Sequence, residues 1–152
     1  MANENIKIKG HIAWELIRDG VVVESGERDN IITTAGKNAL ASLLNSASAG
    51  TSLITHMGFG TSTTAVAVGD TALGTELSAG GYSRVAVSRS VANNVITYTA
   101  TLTGVTSNPT IQEAGLFNAS TAGTLFAHQL TGAVNLATSS DSLAVTWTVT
   151  FS

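Results

Sequence analysis

Leu143, Val145, Trp147, Val149 and Phe151 alternate with Ala144, Thr146, Thr148, Thr150 and Ser152. A period of two in branched and aromatic residues predicts a half-buried strand, with the bulky side on a core and the hydroxyls facing water or a neighbour. The same period runs through residues 6–17. Ile6, Ile8, Ile12, Trp14 and Leu16 share one face, and Lys7, Lys9, His11 and Glu15 the other. Asp19-Gly20 then supplies a two-residue hairpin turn, and Val21–Val23 returns. That register sets Leu16 against Val23, but also Glu15 against Glu24, a like-charge conflict that a bulge or a longer loop would relieve.

A second hairpin is expected over Tyr82–Thr103. A turn at Asn93-Asn94 pairs Val91 with Ile96, Arg89 with Tyr98, Val87 with Ala100 and Val85 with Leu102, keeping one face apolar. Pro109 marks the next turn, and Ile111–Phe117 and Thr124–Leu130 form a third hairpin across 118–123. Leu53–Phe59 reads as a strand. Residues 60–81 form one long excursion with little regular structure, apart from a helical turn over Asp70–Leu77. The pattern changes period once. Thr33 or Thr34 can cap a helix whose apolar positions are Leu40, Leu43, Leu44 and Ala47, ended by the Ser/Ala/Gly run 46–52. The expected fold is mainly β. It is a single-domain, jelly-roll-like antiparallel β-sandwich over residues 1–152, with one short α-helix near residues 34–46 plugging an edge or end, and residues 1–9 forming an N-terminal arm.

Composition changes this picture in one respect. The chain has 152 residues, enough to bury about 70% of its unfolded surface. Only 11% of them are charged, against about 25% in an average soluble domain. Mean hydropathy is positive, at +0.27. Such a surface is either covered by copies or partners, or it is a neutral, hydroxyl-rich exterior. A net charge of −3 with seven Lys and Arg argues against nucleic acid as a partner. Cysteine is absent, which excludes disulfides and thiolate metal sites. MANENIKIKG lacks the apolar region of a signal peptide, and no apolar run reaches membrane-spanning length, so a soluble protein without a membrane partner is expected.

Candidate chemistry is sparse. His11, His56 and His128 share no metal-binding spacing, and His11 and His128 read as rim residues on strands. Gly58-Phe59-Gly60 lacks the helix that would hold a phosphate. Asp70 and Glu76 have the composition of a glycosidase pair. The plainer reading is a capped turn with Glu76 in solvent. Glu113 stands among apolar residues, where a buried, paired carboxylate, with Arg84 or Arg89 as partner, would fix a loop or a subunit contact. Asn118-Ala119-Ser120 matches a glycosylation acceptor. Aromatics are 5% of the chain and both tryptophans fall on core faces, which disfavours a sugar-binding surface. No catalytic residue, cofactor or metal ligand is expected. Candidates for partner contact are Ile6, Lys7 and Lys9, on a segment read as an edge strand, and Thr61, Thr63, Asp70 and Glu76 in the excursion.

The order ERDNIITTAGKNALASLL, HMGFGTSTTAVAVGDTALGTEL, EAGLFNASTAGTLFAHQL and DSLAVTWTVTFS resembles a group of small virion proteins of tailed bacteriophages. Within that group the chain is most similar to capsid decoration (cement) proteins. The resemblance implies a non-enzymatic structural protein, made in the host bacterial cytoplasm and located on the outer capsid surface. There it would bind the major capsid protein at capsomer junctions, as a homotrimer. The neighbouring expectation is a tail, fibre or baseplate module, with a carbohydrate-binding or enzymatic module behind it. No functional residue carries over, because such proteins work through distributed surfaces.

Overall fold

The alternating patterns, turn residues and single capped helix resolve in chain order into β1 (Ile8–Arg18), β2 (Val21–Ile32), α1 (Thr34–Leu44), β3 (His56–Gly60), β4 (Val85–Ala86), β5 (Ser88–Ala92), β6 (Val95–Leu102), β7 (Thr110–Phe117), β8 (Leu125–Asn135) and β9 (Asp141–Phe151). The computed structural model describes residues 5–44, 54–79, 81–103 and 108–152. All strands belong to one antiparallel sheet in the order β4-β3-β7-β8-β2-β1-β9-β6-β5. It rolls into a nearly closed, barrel-like sandwich, so the expected mainly-β sandwich with one helix is what is observed.

Two places let one sheet make two layers. Strand β2 pairs with β1 from Val21 to Asn30, then passes Ile31 and Ile32 to β8. At the opposite edge the chain changes layer between β4 and β5, where Val87 N–H donates to Thr55 O. Strand β9 sits between β1 and β6, setting Trp147 beside Ile12 and Tyr98, and Leu143 beside Leu16 and Leu102. Those side chains are buried, as the alternation requires, and each contributes about 1.5–3 kcal/mol.

The first hairpin keeps its Asp19-Gly20 turn but not the simple register. A bulge leaves Ile17 opposite Val22 and Leu16 opposite Glu24, so Val23 is the extra residue. Glu15 now faces Ser25, and the like-charge conflict disappears. Ile6 departs from the expected core face; it is 81% exposed. Lys7 exchanges two backbone hydrogen bonds with Ser152, and Ile8 and Lys9 pair with Phe151 and Thr150. Residues 7–9 are thus sheet rather than arm, and β1 is an interior strand rather than an edge. Residues 1–4 lie outside the described residues.

The Asn93-Asn94 hairpin holds its expected register from Ser88–Thr99 to Ala92–Val95. It stops there. Val85 and Ala86 pair with Met57 and His56 on β3 instead of with β6, because Arg84 is tied to the other layer. Asp70–Leu77 forms turns and no helix, with Leu73 buried and Glu76 bridged to Gly60. Thr33 caps α1, its Oγ1 accepting from Gly36 N–H at 2.9 Å and donating to Leu125 O at 2.6 Å. Gly36 lies against the Phe126 backbone, so the helix covers β8 there. Leu40 packs on the core, whereas Leu43 stays 36% exposed. Ala47 and the run 46–52 lie outside the described residues.

Candidate functional site

Strand β7 is buried on both faces from Glu113 to Phe117. Ala114 and Leu116 enter the main core, while Phe117 joins Leu73 and Leu125 in a smaller cluster beneath the excursion. Residues 61–79 therefore lie over β7 and its neighbours. Glu113 is what holds them. Its Oε1 accepts from Thr75 N–H at 2.8 Å and Ser62 N–H at 3.3 Å, and its Oε2 from Gly74 N–H at 2.9 Å. Oε2 also lies 2.9 Å from Nε2 of His128, on the adjacent strand. No side chain could stand at Gly60, where a Cβ would come within 2.3 Å of Glu113 Oε1.

His128 continues the chain of contacts. Its Nδ1 lies 2.8 Å from Asp70 Oδ2, which accepts from Ala67 N–H at 2.8 Å. Both ring nitrogens thus face carboxylate oxygens. Only the cationic ring, with hydrogen on both nitrogens, can donate to both. The rim position expected for His128 is wrong: it is 3% exposed, because the excursion roofs over it. Glu113 is buried as expected, but its ionic partner is His128 and neither arginine.

A second tie fastens the end of the excursion. Arg84 grips both carboxylate oxygens of Glu76, through Nε at 2.5 Å and Nη2 at 2.9 Å. Its Nη1 donates to Ala119 O and Ala122 O in the β7–β8 loop. The guanidinium lies 3.4 Å above the Phe117 ring centroid. Glu76 is thus paired rather than in solvent, and Asp70 and Glu76 serve separate ties instead of one catalytic pair. Asn118, in the glycosylation-like triplet, accepts from Thr124 N–H and closes the same loop.

Of the candidate contact residues, Thr61 is tied by its backbone to Thr75, and Thr63 is exposed at the excursion's surface. Ile6, Lys7 and Lys9 belong to the other layer, at the start of β1. The structure does not gather the two groups into one site. Sequence reading missed Arg84 as the tie to Glu76 and the Asp70–His128–Glu113 chain. The available signal was a polar pair inside each apolar run, Gln112-Glu113 in IQEAGLF and His128-Gln129 in TLFAHQL.

A third ion pair closes the far end of β9. Asp141 accepts two bonds from Arg18 at 2.7 Å each, and others from Ala137 N–H, Thr138 N–H and Thr138 Oγ1. The bond from Arg18 is the main reason the Asp141 pKa lies far below the usual carboxylate range. At Asp70, burial works upward, but the Ala67 amide and the bond and charge of His128 outweigh it, and the net shift is downward. Both folded values lie below the ordinary 3.8. The stability they supply is therefore complete well above pH 3.8 and is lost as the pH falls below it toward the folded values. Thermal melts from pH 7 to pH 2 should show a plateau, then a steep fall in Tm on the acid side. Asp141→Asn should flatten that fall.

Among the described residues no group of three or more His, Cys, Asp or Glu could hold a metal ion, and no helix is long and apolar enough to cross a membrane. No family model, curated protein or solved structure matches this chain.

Proposed function

We propose that this chain is a non-enzymatic virion structural protein that decorates the outer capsid surface of a tailed bacteriophage and stabilises the head. In this reading it binds the major capsid protein where capsomers meet, and it assembles as a homotrimer. One observation carries the reading. Glu113, His128, Asp70 and Glu76, the groups best suited to acid–base work, are all engaged in holding residues 61–79 onto the sheet, Glu76 through Arg84. Buried charge is invested in giving a surface segment one shape. The segment it fixes presents Thr63, Thr64, Ala65 and Val68 outward. Short neutral side chains of this kind lose little entropy when a partner covers them, and a pre-shaped segment does not have to be ordered on binding. Many copies on a lattice then add up weak individual contacts.

The test is immunogold labelling of purified phage particles from the source of this sequence, with an antibody to the chain. Label spread over heads is expected, and particles lacking the chain should then burst at lower temperature. Label confined to tails would replace this reading with a tail or baseplate component. Particles without any label would overturn the virion reading altogether.

A further inference from the structure

Strand β2 has a strand partner on only one side for most of its length. Val21–Asn30 pair with β1, and the other side meets β8 only at Ile31 and Ile32. Gln129 closes that fork, its amide donating to Asp29 O while its own carbonyl accepts from Leu130 N–H. From Val21 to Arg28 no strand among the described residues pairs with the outer edge, although Thr131–Ala133 of β8 lie beside Glu24–Arg28. The open stretch reads VVVESGER and contains neither lysine nor proline, the residues that commonly guard an edge. Val21, Val22 and Val23 on it are 62%, 48% and 49% exposed.

We propose that this edge pairs antiparallel with the same edge of a second copy, about a twofold axis at Gly26. Charge selects the register. An axis at Gly26 sets Glu24 opposite Arg28 of the second copy and, by symmetry, Arg28 opposite its Glu24. Moving the axis to between Ser25 and Gly26 sets Glu24 against Glu27 twice. An axis on Glu24 or on Glu27 sets that glutamate against itself, and one on Ser25 sets Glu24 opposite Gly26 and forms no ion pair. Axes nearer Arg28 run into the fork that Gln129 closes. Gly26 also suits the point of closest approach. The Trp14 indole lies across it, so that a Cβ there would fall 2.2 Å from a ring carbon. The contact also brings the exposed valines next to the second copy.

A pairing this short buries less than the roughly 1,200 Å² of a stable interface, so the association is weak and depends on concentration. It matters where copies are crowded, as on a lattice, and in the trimeric reading it joins one trimer to the next. It does not rest on where the protein resides.

Charge exchange tests it. Sedimentation velocity over a concentration series should show the wild type growing beyond its dilute species. Glu24→Arg creates two arginine–arginine oppositions across the axis, and Arg28→Glu two glutamate–glutamate ones. Each variant should therefore associate about tenfold more weakly or worse. Both positions are exposed, so far-UV circular dichroism and Tm should stay unchanged. An equimolar mixture of E24R and R28E should recover association, because each chain then opposes its arginines to the other's glutamates. Absence of concentration dependence in the wild type would overturn the proposal. So would single variants that associate normally, or a mixture no stronger than its components.

Discussion

Glu113→Gln is expected to destabilise the fold by about 3–5 kcal/mol, the range for breaking a buried charge pair from one side. The carboxylate has no exposed surface and accepts from three backbone amides and His128. An amide of the same shape must turn one NH2 group toward those donors, and it leaves the His128 ring with Asp70 alone. Urea titration should give a lower midpoint. Hydrogen exchange should rise first at Ser62, Gly74 and Thr75, whose amides lose their acceptor, before the β1–β9 core is affected. The control is to remove both partners. Glu113→Leu with His128→Leu buries no charge and should cost less than Glu113→Gln alone. A double variant as unstable as the sum of its parts would mean that the two side chains act independently.

That tie also marks where sequence reading stopped. The strand β9, the turns at Asp19-Gly20 and Asn93-Asn94, the β7–β8 hairpin and the Thr33 cap were legible, because each is set by local chemistry. Even the fault in the first hairpin was legible, since Glu15 against Glu24 called for the relief that the bulge at Val23 provides. Other features depend on partners remote in sequence. The strand expected to continue through Val85–Ser90 is cut at Val87 because Arg84 answers to Glu76, Ala119 and Ala122. His128 read as a rim residue because nothing in TLFAHQL reveals that Asp70, 58 positions away, folds over it. Ile6 continues the alternation of β1 but lies outside the strand, and periodicity does not show where a core ends. The excursion itself was visible as a loop by composition, while its anchoring was visible only as polar residues in apolar surroundings.

The largest single-residue loss outside that tie is expected at Trp147. Its side chain is fully buried between Ile12 and Tyr98, and truncation to alanine should cost about 3–5 kcal/mol, through lost transfer energy and the cavity left behind. Part of what it loses is polar and can be measured separately. Trp147 Nε1 donates to Asn30 Oδ1 at 2.7 Å, and the asparagine reaches it by lying over Gly10, its partner in the β1–β2 ladder. A Cβ at Gly10 would come within 2.2 Å of that same Oδ1. Asn30→Ala leaves the buried indole N–H unpaired, at a cost of about 1–3 kcal/mol. Gly10→Ala should cost a similar amount by displacing the asparagine. The two losses are one event, so they should not add. With Asn30 already alanine, Gly10→Ala has nothing to displace and should be neutral, or stabilising by up to about 1 kcal/mol through the lower entropy of the unfolded chain. Full additivity in that cycle would mean that the glycine is needed for some reason other than making room for Asn30.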